Sequence, residues 1–587
     1  MKRPYYLARL LPLALMAILT QCKPKEKERV SLPPGDKDNG GLLLPGGFEA
    51  VVVADSTGRA RHIAVNDNGD IYVKLAYNDL MHGRGGTVAL RDADNDGKAD
   101  VIAYFGDYKD EGFLPEGMTV HNGYLYTSTV RYILRNKLRA GELLPDTATE
   151  IVFTDDSDVY RHWHSTKPLA FDNDGNMYIP FGAPDDAAQD VRLAGPAGIP
   201  NGKGMDPAPE LEKHAGIWKF NADRTGMTQK DGQKYATGIR SVLGIAWSPL
   251  DSSLYAVMNG MDNFHTRYPT IFTSWQAAVL PGEPLLKVTQ GSDFGWPYAY
   301  YDQLLGKNML QPGYGGDGKI VGRAAAFSKP VMAFPGHWAP MDLLFYQGNQ
   351  FPERYKNGAF VAFHGSTDRS PYPQAGYIVC FVPFEKGVAT DKWEVFADGF
   401  TVVDTVVNTS DAVYRPMGLA TGPDGSLYIC ESNKGKIWRV MYKGDKNTFG
   451  SAQLIGMEAR KSRTYIKTPD PVKDDMGKGG EMEGHILYTS YCAGCHQQNG
   501  KGDNSRYPPL AGSEWVAGDR DRLIGILLNG LQGEISVNGK TYNGIMPAHG
   551  SFLDDHAIAS ILTYVQLRFN KTHNNVPSAE VTRLRKK

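Results

Sequence analysis

The sequence predicts an all-β six-bladed propeller followed by a small all-α domain. Its 587 residues exceed what one hydrophobic core organises, so at least two domains are expected. Between about residues 44 and 442, an apolar strand repeatedly leads into an Asp/Asn/Gly turn and a second, aromatic-containing strand. The 66 glycines and 36 prolines favour such turns, whereas after residue 480 apolar residues recur at helical spacing.

The repeated unit indicates β-hairpins, because Asn and Gly tolerate the positive φ of tight turns. The copies begin at His62, Met118, Pro168, Gly244, Leu343 and Gly418, the fifth being the loosest. Hairpins repeated at this interval are typical of propeller blades, each of which packs against its neighbours. A pair of β-sandwiches is the alternative, but it would not need the same motif six times.

Composition along the chain suggests the boundaries. We expect a signal peptide over 1–22, a tether over 23–43, the propeller over 44–442 and a linker over 443–480. A second domain over 481–570 and a polar, basic tail over 571–587 complete the chain.

The N-terminus predicts export. Lys2 and Arg3 precede an apolar run from Leu10 to Leu19, which is too short to span a bilayer but suits a secretory signal. Cys22 follows where a lipoprotein carries its lipid, so we expect a membrane attachment through Cys22 and a periplasmic or outer-membrane location. An ordinary signal peptide with an unrelated cysteine is the alternative.

Charge and the remaining cysteines constrain the partners. A net charge of −2 gives no electrostatic case for nucleic acid. Cys380 and Cys430 lie in apolar, strand-like runs. An oxidising compartment permits a disulfide between them, but we favour buried free thiols.

The strongest motif is Cys492-Ala493-Gly494-Cys495-His496. Two thiols at this spacing can each add to a haem vinyl group, and the adjacent histidine then ligates the iron. A zinc site would need four ligands, and no second cysteine pair lies nearby. The motif therefore predicts a covalent haem c that transfers electrons.

Elimination suggests the sixth iron ligand. Met546 is the only methionine after His496, and a thioether raises the haem potential, as suits an electron acceptor. His549 is the rival ligand; otherwise we expect His549, like His556, to be an exposed polar residue.

A turn rich in aspartate is a separate candidate for calcium. Asp92, Asp94, Asp96 and Asp100 alternate along it, and Gly97 allows a sharp turn. The loop lacks the glutamate of an EF-hand, since Ala103 stands at that position. A solvated acidic turn is the alternative.

The C-terminal segment resembles class I cytochromes c throughout. Pro508-Pro509-Leu510 stands where that family places a proline carbonyl against the haem histidine. Such an acceptor fixes the orientation of the ring.

The propeller resembles the soluble PQQ-dependent glucose and sorbosone dehydrogenase family over nearly its whole length. The resemblance is carried by five segments: residues 163–171 (WHSTKPLAF), Gly182, residues 236–240 (ATGIR), residues 291–297 (GSDFGWP) and residues 364–366 (HGS).

This resemblance implies roles for particular residues. His164 matches the general base that takes a proton from the sugar hydroxyl, and Arg240 matches the arginine that stabilises charge on the oxygen of pyrroloquinoline quinone (PQQ). Arg415 falls where an arginine contacts the cofactor. The carbonyls of Gly260 and Met261 fall where the family holds calcium.

We therefore interpret the chain as a quinohaemoprotein oxidoreductase that oxidises a sugar or related alcohol. Its haem would be the first electron acceptor, tethered at high effective concentration, and would serve a downstream acceptor. A propeller that only binds, attached to an electron-transfer cytochrome, is one alternative. A propeller lactonase or hydrolase is another, although it would have little use for haem.

Overall fold

The structure is a computed structural model. It describes residues 1, 32–76, 86–106, 117–157, 164–189, 199, 201–262, 264–471, 474, 480–503, 505–570 and 576–586. The predicted signal peptide beyond Met1, the lipidation site Cys22 and residues 23–31 of the tether lie outside the described residues.

Strands β1–β28, apart from the separate hairpin β18–β19, form six blades. Blade 1 contains β2 (Ala60–Val65), β3 (Ile71–Leu75), β4 (Gly86–Arg91) and β5 (Val101–Phe105). Blade 2 contains β6 (Gly117–His121), β7 (Tyr124–Ser128), β8 (Tyr132–Lys137) and β9 (Thr149–Thr154). Blade 3 contains β10 (Ala170–Phe171), β11 (Asn176–Phe181), β12 (Gly216–Asn221) and β13 (Gln233–Thr237), with β17 (Ser292–Asp293) parallel to β13.

Blade 4 contains β14 (Val242–Ser248), β15 (Ser253–Met258), β16 (Glu283–Val288) and β20 (Met332–Phe334). Blade 5 contains β21 (Pro340–Phe345), β22 (Gly358–Phe363), β23 (Val379–Glu385), β24 (Val388–Ala389) and β25 (Glu394–Ala397). Blade 6 contains β26 (Pro416–Thr421), β27 (Leu427–Glu431), β28 (Ile437–Tyr442) and β1 (Phe48–Ala54). Helices α1 (Phe264–Arg267) and α2 (Ser274–Val279) and the hairpin β18 (Ala299–Asp302)–β19 (Lys307–Leu310) are inserted in blade 4.

The six-bladed prediction is confirmed, because each repeated sequence unit forms the two innermost strands of one blade. At the β6–β7 turn, Asn122 (φ 48°) and Gly123 (φ 76°) adopt the positive φ that the pattern predicted. The innermost strands of all six blades line a cavity of about 410 Å³.

The ring is closed by the N-terminal strand. β1 pairs with β28 as the outer strand of blade 6, from Phe48 opposite Tyr442. The residues before β1 differ from the predicted tether. The side chains of Asn39 and Asp36 accept hydrogen bonds from the Ala50 and Val52 amides at 3.0 and 2.8 Å, so they satisfy amides on the outer edge of the strand.

The predicted linker is also largely structured. Helix α3 (Ser451–Arg460) packs on blade 5 through the buried Met457. Arg460 Nε donates to Asp398 Oδ2 at 2.5 Å. Apolar burial and this ion pair attach the segment to the propeller, although its charged composition had suggested a free linker.

The C-terminal domain is mainly helical. Its helices are α4 (Gly480–Tyr491), α5 (Ala493–His496), α6 (Glu514–Ala517), α7 (Arg520–Asn529), α8 (Asp555–Asn570) and α9 (Ser578–Arg585). Helices α4 and α8 cross at Gly484, where a Cβ atom would lie 2.1 Å from the Ser560 carbonyl oxygen. Glycine is therefore needed for this close approach.

Two predictions for this domain need correction. It is not all-α, because β29 (Leu531–Val537) and β30 (Lys540–Met546) form a hairpin around Asn538 (φ 48°) and Gly539 (φ 73°). The predicted basic tail includes α9, which packs on α7 and α8. Val581 is buried there, and Arg585 Nε donates to Asp555 at 2.5 Å.

Two further observations concern the cysteines and the length of the helices. Cys380 and Cys430 are buried free thiols, as favoured from the sequence. Among the helices that the structure describes, none has the length and apolar character needed to cross a bilayer.

Candidate functional site

The candidate site residues converge on one face of the propeller. The two innermost strands of a blade are antiparallel, so the segment before the first and the segment after the second lie on the same face. His164, Arg240 and Arg415 precede β10, β14 and β26, whereas Gly260 and His364 follow β15 and β22. We call this the upper face. The fold thus brings together predicted residues from four blades.

His164 has the tautomer of a base. Its Nδ1 lies 2.8 Å from the Ala183 carbonyl oxygen, which can only accept, so Nδ1 carries the proton and Nε2 is left as an acceptor. Burial and the nearby Arg240 lower the pKa of His164 to about 4. The ring is therefore neutral at pH 7. Gly182 is required beside it, because a Cβ atom there would lie 2.3 Å from the His164 carbonyl oxygen.

Arg240 is buried and held from several sides. Its Nη1 donates to the Gly260 carbonyl at 2.6 Å, and its Nη2 to Asp262 Oδ2 at 3.0 Å. Its Nε donates to Asp186 Oδ1 at 2.9 Å, and Arg267 donates to Asp186 Oδ2 at 2.8 Å. Burial opposes the charge on Arg240, but Asp186 and Asp262 raise its pKa. The guanidinium is therefore a fixed cation.

Asp186 should be a major stabilising residue, since its side chain is fully buried between two arginines. We expect Asp186→Asn to lower the free energy of unfolding by about 3–5 kcal/mol, because two buried cations lose their shared counter-charge. Glu353→Gln is the matched control, because Glu353 is largely exposed and pairs with Lys356 on the surface; we expect at most about 1 kcal/mol there. Urea unfolding followed by tryptophan fluorescence measures both. Equal losses would contradict the assignment.

Three residues that the sequence analysis missed stand beside Arg240. Ligand atoms of Asp262, His337 and Asp368 lie within 4.8 Å of one another. The Nε2 of His337 donates to the Ala277 carbonyl at 2.7 Å, and its Nδ1 lies 3.4 Å from Asp262. Burial opposes protonation of His337, but Asp262 raises its pKa to about 9. No motif marks these residues; the available signal was their position in loops next to innermost strands.

A second cluster on the upper face is rich in arginine. Arg415 donates from Nε to the His364 carbonyl at 2.9 Å and from Nη2 to the Gly365 carbonyl at 2.6 Å. Burial and the neighbouring Arg415 and Arg59 lower the pKa of Arg61 to about 9. The same three arginines, after burial, lower the pKa of His364. Because like charges repel one another, a ligand with carboxylates would stabilise this cluster.

One loop connects the two clusters. Ser366 Oγ, two residues after His364, donates to the His337 carbonyl at 3.2 Å. The loop after β22 therefore joins the arginine cluster to the cluster of Arg240, Asp262 and His337.

The structure brings together three of the four aspartates predicted to bind calcium in the acidic turn. Carboxylate oxygens of Asp92, Asp94 and Asp100 lie within 4.8 Å of one another, but Asp96 is not part of this group. Asp96 Oδ1 instead accepts a hydrogen bond from the Lys98 amide at 2.7 Å. The prediction of four ligands needs this correction, and calcium binding here stays a prediction.

The haem motif lies in a hollow that fits the group. His496 Nδ1 lies 2.9 Å from the Pro508 carbonyl oxygen, so Nε2 remains for iron and the expected proline contact is present. Two adjoining hollows share one set of lining residues: Cys492, His496, Pro508, Leu531, Ile535 and Met546. An apolar slot with both cysteines and a histidine at its wall suits a covalent haem.

Met546 and His549 both approach this slot. Met546 ends β30 and lines both hollows, whereas His549 lines one. His549 is buried and its Nδ1 has no hydrogen-bond partner among the described residues, so the expectation of an exposed polar residue is wrong. His556 is exposed and pairs with Glu483 at 2.8 Å. Because Met546 lines both hollows, the structure favours Met546 over His549 as the sixth iron ligand.

Comparison with known families agrees with this architecture. The chain belongs to the TrAA12-like family, whose model matches residues 43–443. Residues 480–565 match the model of subunit III of cbb3-type cytochrome c oxidase. The chain thus joins a TrAA12-like propeller, of the kind found in PQQ-dependent sugar dehydrogenases, to a domain that matches a cytochrome c family.

Individual relatives match parts of the chain. Cytochrome c-552 of Thermus thermophilus is 46% identical over 89 residues, which are 14% of this chain and 66% of the relative. A PQQ-dependent pyranose dehydrogenase of Coprinopsis cinerea is 31% identical over 126 residues, 19% of this chain and 16% of the relative. An uncharacterized protein of Borreliella burgdorferi is 29% identical over 209 residues, 35% of this chain and 48% of its own length.

Solved structures share the propeller fold. The calcium structure of the Trichoderma reesei family AA12 enzyme aligns with TM-score 0.53 and 18% identity, covering 68% of this chain and 97% of that one. The holo PQQ domain of the Coprinopsis cinerea pyranose dehydrogenase aligns with TM-score 0.52 and 17% identity, covering 70% and 98%.

Proposed function

We propose that the protein is an exported quinohaemoprotein dehydrogenase that oxidises a sugar or related alcohol with PQQ and passes the electrons to its own haem c. The observation that carries the proposal is the convergence of the neutral base His164, the fixed cation Arg240 and the arginine cluster on one face. The pyranose dehydrogenase among the relatives supports a sugar as substrate, of the aldose or sorbosone type.

The residues fit the cofactor by charge. PQQ carries several carboxylates, and Arg415 and Arg61 supply cations that such groups would neutralise. When bound, PQQ would supply the acceptor for the hydride that leaves the substrate carbon. His164 Nε2 takes the hydroxyl proton, and Arg240 stabilises negative charge that develops nearby.

Calcium belongs to the proposal through the family resemblance. Hard cations prefer oxygen ligands, and the Gly260 carbonyl is such an oxygen, although in this structure it and Asp262 accept hydrogen bonds from Arg240. Met261 is buried next to them. We include calcium at the carbonyls of Gly260 and Met261 in the proposal.

The proposal includes export, which the N-terminal pattern supports, with a lipid on Cys22 as the attachment to a membrane. The thioether-bound haem would then deliver electrons to a downstream acceptor outside the cytoplasm.

Reconstitution tests the function. Purified protein with bound haem is supplied with PQQ and calcium, and a panel of sugars and lactones is screened. Sugar-dependent reduction of the haem absorption band supports the proposal. Sugar binding without reduction would favour the binding module, and lactone turnover without reduction would favour a hydrolase.

The pH dependence of turnover should report the protonation of His164. Burial and Arg240 lower its pKa to about 4, so the neutral, proton-accepting form is lost only as the pH falls through that value. We expect kcat/KM to stay level from pH 7 to about pH 5 and to fall below it. An acid limb near the ordinary histidine pKa of about 6.5 would contradict the assigned base.

A further inference from the structure

The linker runs onto the upper face before it reaches the cytochrome. The Gly376 amide donates to the Tyr465 carbonyl at 2.9 Å. Trp275 Nε1 donates to the Pro469 carbonyl at 2.8 Å, and the Tyr372 hydroxyl to the Pro471 carbonyl at 3.2 Å. Trp275, Tyr372 and Gly376 all lie in segments that follow the second strand of a blade. These contacts therefore hold the linker on the face that carries His164 and Arg240.

The remaining chain is short. Asp474 Oδ2 accepts a hydrogen bond from the Asp470 amide at 2.8 Å and lies 2.7 Å from Lys467 Nζ. Only residues 475–479 separate Asp474 from the start of α4 at Gly480. Because an extended residue spans at most about 3.6 Å, Gly480 lies within about 22 Å of Asp474 in any conformation of that stretch. The haem domain is thus confined near the upper face.

One contact identifies the surfaces that meet. Gln498 Nε2 donates to Ser410 Oγ at 3.3 Å. Gln498 lies two residues after the haem ligand His496. Ser410 lies in the turn Thr409–Asp411, five residues before Arg415. Both residues are otherwise exposed.

We propose that the cytochrome domain docks on the upper face through residues 495–498 against residues 408–411, and that electrons enter the haem across this contact. The second half of this inference rests on the proposed function. The segment 408–415 links the contact directly to the arginine cluster. A small polar contact combined with a short tether suits repeated docking, because the tether supplies a high effective concentration.

Cross-linking tests the docking without turnover. In the full-length haem protein, Ser410→Cys with Gln498→Cys is treated with a short bismaleimide, and the linked peptides are identified by mass spectrometry. Ser252→Cys with Gln498→Cys is the matched control, because Ser252 is exposed in the β14–β15 turn on the opposite face. We expect linked peptides for the first pair only. Equal linkage of both pairs, or none for the first, would overturn the docking.

Kinetics tests the electron entry. Ser410→Trp places a large side chain at the contact, outside the residues assigned to chemistry. We expect substrate-driven haem reduction to slow by about tenfold as docking is lost, while reduction of an artificial dye by the propeller is unchanged. Unchanged haem reduction would overturn this entry point. A failure of the proposed function would instead appear as absent dye reduction in the wild type, and the cross-linking result would still decide the docking.

Discussion

Replacing His164 with alanine is expected to slow substrate oxidation by about 10²–10⁴-fold, the usual contribution of a positioned general base. The reason is geometric. The Ala183 carbonyl fixes the proton on Nδ1, so Nε2 is the acceptor atom, and burial beside Arg240 keeps the ring neutral. The measurement is dye reduction at saturating sugar and PQQ, which does not depend on the haem.

His121→Ala is the control for this change. His121 stacks on Phe171 at 3.9 Å between ring centroids, away from the upper-face clusters, so its loss should leave the rate nearly unchanged. Binding of PQQ, followed by its absorbance, should survive in both variants. Full activity of His164→Ala would remove His164 from the mechanism.

Replacing Met546 with leucine is expected to remove the thioether ligand and lower the haem midpoint potential by a few hundred millivolts, within the about 0.8 V that axial ligands span. Leucine keeps the apolar volume between the two hollows, so the domain should still fold. Redox titration and the absorption spectrum of the oxidised haem measure the effect.

His549→Leu distinguishes the two ligand candidates. His549 is buried at the edge of one hollow, close to Phe552 at 5.4 Å between ring centroids. We expect this variant to keep the wild-type potential to within a small shift. If His549→Leu loses the low-spin spectrum and Met546→Leu retains it, the ligand is the histidine.

Local sequence signals predicted the propeller well. A turn such as Asn122-Gly123 and its two flanking strands lie within about ten residues, so hairpins can be recognised from pattern alone. The partner of β1 could not be recognised in this way, because Phe48 pairs with Tyr442 across the whole ring. The hairpin β29–β30 was missed although Asn538-Gly539 is the same signal, since the helical pattern around it dominated the interpretation.

The site was predictable only where a motif existed. The haem cysteines and His496 are consecutive, whereas Asp186 and Arg240 are 54 positions apart and meet only through the fold. Asp262, His337 and Asp368 stand in different loops with no fixed spacing. The family resemblance supplied His164 and Arg240, and the structure supplied the carboxylates that hold Arg240 in place.

The closure of the ring by β1 determines how this chain can be dissected. An open array of repeats can lose a terminal unit and keep the others, but here residues near the N-terminus complete the blade that ends the propeller. A fragment that starts after Ala54 would leave the edge of β28 bare and expose Phe48's aromatic neighbours, including Phe351 and Tyr355. A fragment that folds as the complete propeller must therefore include both β1 and β28.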